Sequence, residues 1–78
     1  MNKTPQEITD YKQQWLPGHP VRLHSDLEDK GRTWCKRCLD KWEWHYKRHT
    51  NIYEHTFYFE SIYAAQNFAM EMGRFANL

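Results

Sequence analysis

Three glycines, three prolines and two cysteines are all that 78 residues contain of the usual structure breakers and cross-linkers. With glycine only at Gly18, Gly31 and Gly73, there is no glycine-rich phosphate loop, and no G-x-S-x-G or H-E-x-x-H occurs. His24-Ser25-Asp26 places the residue types of a hydrolytic triad side by side. Adjacent residues cannot adopt that geometry, so it carries no chemistry. No apolar run approaches the roughly 20 residues of a membrane span, and Met1 to Asp10 has no signal-peptide apolar region. These absences predict a cytoplasmic, non-membrane protein whose two cysteines are reduced. Charge of one sign is also missing: the net charge is +1.

A chain this short forms one domain, residues 1–78. Domains of its size bury only about 60% of their unfolded surface and have little room for a substrate cavity of roughly 300 Å³ or more. The expectation is therefore a protein that is not an enzyme. What the chain does have is aromatic residues, 17% of the sequence. Large rings can give a small core the area it needs, and they also anchor interfaces.

The periodicity predicts α-β-α-β-β-α. Thr4-Pro5-Gln6-Glu7 has the spacing of a capping box with proline at the first helical position. Ile8, Tyr11 and Trp15 continue one helical stripe, which Pro17-Gly18 ends. Val21 to Ser25 alternates as a short strand, and Asp26 to Gly31 reads as an acidic turn. Trp34, Cys35, Cys38, Leu39 and Trp42 share a face if residues 32–41 are helical. From Trp42 the period changes to two, with Trp42, Trp44 and Tyr46 alternating with Glu43, His45 and Lys47. His55 to Phe59 is a second strand, and His49 to Tyr53 is short enough for a hairpin connection. Ser61 can cap a last helix whose apolar face is Ile62, Ala65, Phe68, Ala69 and Met72, with its end at Gly73. The fold class expected is α+β, with a three-stranded antiparallel sheet packed against helices.

Residues 30–48 concentrate the chemistry. They hold both cysteines, three of the four tryptophans and seven basic residues against Asp40 and Glu43, a local +5, while each flank is −2. Cys35-x2-Cys38 and His45-x3-His49 are two pairs at zinc-ligand spacing. The six residues between the pairs are fewer than the dozen of a ββα finger, and no Gly or Pro shapes a turn at the cysteines. Trp34-Cys35-Lys36-Arg37-Cys38 resembles the W-C-x-x-C of thioredoxin-like proteins, but Asp29 to Thr33 is not the apolar strand that motif follows. Lysines and arginines interleaved with rings also suit single-stranded nucleic acid. The bland alternative for Trp42, Trp44 and Tyr46 is a core stripe under a helix, with a solvated polar face.

The remaining reading is protein binding. Arg37, Lys41, Lys47 and Arg48 would steer an acidic partner surface, with Trp42, Trp44 and Tyr53 as anchors. Homodimerisation through the sheet is another use of the same rings.

Gly31 to Phe75 resembles small proteins encoded by tailed bacteriophages. The resemblance rests on Trp34-Cys35, Leu39, Trp44, Thr50-Asn51, Tyr53 to Phe59 and the Ala65 to Phe68 stretch. It implies a protein made in an infected bacterial cytoplasm that binds and redirects, or inhibits, a host protein or defence assembly. In such sequences the position of Cys38 is often another polar residue, which implies that the cysteine pair is incidental.

Overall fold

A computed structural model describes residues 4–48 and 54–76. The hairpin connection expected at His49 to Tyr53 lies outside the described residues. Helix α1 (Pro5–Trp15) begins with the capping box: the Thr4 hydroxyl accepts from the Glu7 amide at 3.2 Å, and the Glu7 carboxylate accepts from the Thr4 amide at 3.3 Å. Strand β1 (His19–His24) follows, then a 3-10 turn (Ser25–Leu27), helix α2 (Glu28–Cys38), strands β2 (Trp44–Arg48) and β3 (Glu54–Phe59), and helix α3 (Ile62–Ala76). The sheet is antiparallel with strand order β1-β3-β2. The fold is α+β, as the periodicity predicts.

Several boundaries differ from the sequence reading. The acidic segment read as a turn begins α2, and Gly31 lies inside that helix. Trp42 precedes β2 rather than opening it. Helix α3 continues through Gly73 to Ala76, and Ile62 and Ala69 are exposed although the helical pattern placed them inward. Ser61 does cap α3, its hydroxyl accepting from the Tyr63 amide at 3.1 Å.

Pleating gives the sheet two faces. The first carries Val21, Leu23, Trp44, Tyr46, His55, Phe57 and Phe59, and α2 and α3 pack on it. The core there is largely aromatic. Phe68 of α3 lies 4.9 Å from Phe57, 4.8 Å from Phe59 and 5.5 Å from Trp34, ring centre to ring centre. The second face carries Pro20, Tyr58 and His45 in one row across the strands, and Arg22, Thr56 and Lys47 in the next.

Helix α1 joins the sheet at its Phe59 end. The Tyr11 hydroxyl donates to Glu60, and the Trp15 indole donates to the Trp42 carbonyl at 3.0 Å. Gly18 closes this corner with φ +52°, and a Cβ there would stand 2.3 Å from the Phe59 carbonyl oxygen. Both the backbone and the space require glycine.

Candidate functional site

Strand alternation separates the basic centre that looks continuous in the sequence. Lys47 is exposed on the second face, whereas its neighbour Arg48 belongs to the helix side and pairs with Glu28 at 4.0 Å. Trp44 and Tyr46 also turn to the helix side, 6.3 and 4.9 Å from the Phe57 ring. Trp44 is therefore packed on the core rather than presented as an anchor. Trp42 is half-buried, with its carbonyl engaged by Trp15. Arg37 is exposed on α2 beside a 260 Å³ groove floored by Trp34 and Met72, and Lys41 is exposed beyond the end of that helix. Tyr53 lies outside the described residues.

The zinc set is not brought together. Cys35 is fully buried on the helix side of the sheet, and burial pushes its thiol up to about 12. Cys38 is exposed on α2, while His45 sits on the opposite sheet face. His49 lies outside the described residues. Among the described residues no three His, Cys, Asp or Glu side chains converge as metal ligands.

Two arrangements emerge instead. The first is a polar cluster at the start of α2. Arg32 (3.8 Å), Arg48 (4.0 Å) and the buried His55 (3.6 Å) surround the Glu28 carboxylate. The Arg32 guanidinium also lies 5.6 Å over the Tyr46 ring. The Tyr46 hydroxyl and His55 Nδ1 are buried without a hydrogen-bond partner among the described residues. Although the Tyr46 hydroxyl falls short of hydrogen-bond geometry, it and Glu28 perturb each other. Burial first, then the carboxylate, pushes Tyr46 up to about 12, while that hydroxyl, and then Arg48, His55 and Arg32, hold Glu28 below its ordinary 4.5.

A depressed carboxylate stabilises the fold above its unfolded pKa, and that stabilisation is lost as pH falls through the folded value. Acid unfolding should therefore set in below about pH 4.5, the ordinary carboxylate value. Glu28→Gln should flatten the fall of the urea midpoint as pH drops from neutral through the ordinary carboxylate value of 4.5 and below. An unaltered pH profile in that variant would remove Glu28 as the acid-sensitive group.

The second arrangement is the sheet's second face. Arg22 and Lys47 are exposed on either side of the buried Thr56, and neither makes an ion pair among the described residues. In the adjoining row the half-buried Tyr58 and His45 rings lie 6.2 Å apart. Burial first, and then the charges of Lys12 and Lys47, hold His45 below its ordinary value. Leu16 and Pro17, from the corner after α1, close a 320 Å³ cleft with His45, Lys47 and Tyr58. Of this group the sequence points to Lys47 as a steering charge, Tyr58 as a ring on the outer face and His45 as a candidate zinc ligand, but not to Arg22. Arg22 lies 25 positions from Lys47 in the chain, and only the register between β1 and β3 brings it alongside.

No protein-family model, curated protein or solved structure matches the chain. Among the described residues no helix is long and apolar enough to cross a membrane.

Proposed function

We propose that this protein is a non-enzymatic binding module that captures an acidic surface of another protein on the second face of its sheet. The observation that supports this reading is the row Arg22–Thr56–Lys47: two exposed cations without ion-pair partners among the described residues, held on the sheet beside the Tyr58 and His45 rings. Charge in this setting sets the rate of encounter and the choice of partner more than it sets affinity. Tyrosine and arginine are also the residue types over-represented among binding hot spots. The resemblance to small phage proteins makes a bacterial host protein the partner class.

Of the described residues expected from sequence to bind, only Lys47 belongs to this face, and the Tyr58 and His45 rings stand there in place of Trp42, Trp44 and Tyr53. Arg22 replaces Arg48 as the partner of Lys47, because Arg48 is turned toward Glu28. The test is the double charge reversal Arg22→Glu/Lys47→Glu, assayed by capture of host proteins from a bacterial lysate at low salt. Both residues are exposed, so the thermal midpoint should stay within a few degrees of the parent's. Reversing two steering charges should slow association about tenfold or more, and added salt should weaken capture by the parent protein. Equal capture by the folded double variant would refute the assignment.

A further inference from the structure

The cleft beside Lys47 differs chemically from the cationic row. Its outer wall, Leu16 and Pro17, is aliphatic, and its inner wall is the Tyr58 and His45 rings inclined at 37°. Lys47 stands at its border, and Lys12 acts electrostatically on His45 from the last turn of α1. An apolar slot set in a positive field suits an occupant with an apolar tip and negative flanks. At 320 Å³ it lies at the low end of ligand-pocket volumes and has room for one bulky side chain.

We propose that this cleft is the anchor pocket of the acidic-partner interface, receiving one leucine-sized or aromatic side chain from an acidic segment whose flanking carboxylates meet Lys47, Lys12 and Arg22. The inference rests on the reading above and deepens it by naming what the partner inserts. Interfaces concentrate their energy in such pocket-filling anchors, with surrounding charges setting register and rate.

A single-stranded nucleic acid fits the same face less well. Single-strand platforms stack successive bases on several rings. Here Trp44 and Tyr46, the rings that alternate with the basic residues of β2, are packed on the helix side. Among the described sheet residues only Tyr58 and His45 present rings on this face, and they lie in one row tilted against each other.

The probe is a synthetic acidic peptide of about 12 residues, rich in Glu, with one central leucine, together with the same peptide carrying alanine there. Binding is followed by amide chemical shifts and calorimetry on the full chain. The expected result is shifts centred on Leu16, His45, Lys47 and Tyr58, and binding about tenfold weaker for the alanine peptide, as loss of a buried leucine side chain implies. Leu16→Ala, at a half-buried position outside the core cluster, should erase most of the difference between the two peptides, and Tyr58→Thr provides an independent check from a strand-compatible residue. Binding that depends on Arg22 and Lys47 but is indifferent to the peptide's leucine would overturn the anchor pocket and leave the proposed face standing. Indifference to both would overturn the two together. Tighter binding of an oligo-dT of about 12 nucleotides than of either peptide would also overturn both, replacing a protein partner with nucleic acid.

Discussion

Replacing Phe68 with alanine is expected to lower the melting temperature by roughly 15–30 °C or to unfold the protein outright. The ring is fully buried and lies within 5.5 Å, centre to centre, of Phe57, Phe59 and Trp34. Truncating a core phenylalanine costs about 3–5 kcal/mol, because the lost burial is compounded by a cavity that closely packed rings cannot collapse to fill. At roughly 0.05–0.15 kcal/mol per residue, a chain of this length has about 4–12 kcal/mol in all. The loss is therefore of the same order as the whole stability. In domains this small each kcal/mol moves the midpoint by about 4–8 °C. Phe68→Leu keeps most of the volume and should cost only about 1 kcal/mol. A thermal melt followed by circular dichroism checks both. A fall of less than about 5 °C for the alanine variant would mean that Phe68 does not join α3 to the sheet.

The residues that fix the fold class were readable because their signals are local. The Thr4–Glu7 capping box, the alternation through Trp44 and Tyr46, and the Thr-aromatic run of β3 each specify one element from a few neighbouring residues. The start of α2 was not readable. Glu28-Asp29-Lys30-Gly31 has the composition of a turn, and the helix there is stabilised by what surrounds it: the cations around Glu28 and the sheet against Gly31. Ile62 and Ala69 fit an inward helical stripe, yet the sheet on which α3 rests is narrow, and only Ala65, Phe68 and Met72 of that stripe are covered.

The candidate site was legible only in part, for a geometric reason. Consecutive strand residues point to opposite faces. A basic cluster that is dense in sequence is thus divided between Lys47 on one face and Arg48 on the other, while Arg22 joins Lys47 from a distant strand. The same alternation assigns Trp44 to the core and leaves His45, read first as a zinc ligand, beside Tyr58.

Gly31 brings the packing and sequence arguments together, and Gly31→Val is expected to be the second most damaging of these substitutions, costing about 3 kcal/mol. Helix propensity alone favours replacement, since glycine within a helix costs about 1 kcal/mol relative to alanine. Space opposes it. A Cβ at this position would meet Leu23 Cδ1 and Phe57 Cζ at 3.0 Å and Phe68 Cζ at 3.1 Å. Two of those atoms are the ends of fully buried rings, which cannot withdraw without disturbing each other. For alanine the propensity gain and the crowding nearly cancel, and a change within about 1 kcal/mol is expected. Valine adds two methyl groups and β-branching to the same space. Urea unfolding of both variants gives the magnitudes, and a double-mutant cycle gives the cause. If close approach is why glycine stands here, Phe68→Leu should relieve the crowding, and Gly31→Val should cost about 1 kcal/mol less in that background than in the parent. Equal costs in the two backgrounds would show that the approach of α2 to the Phe68 ring is not what excludes a side chain at Gly31.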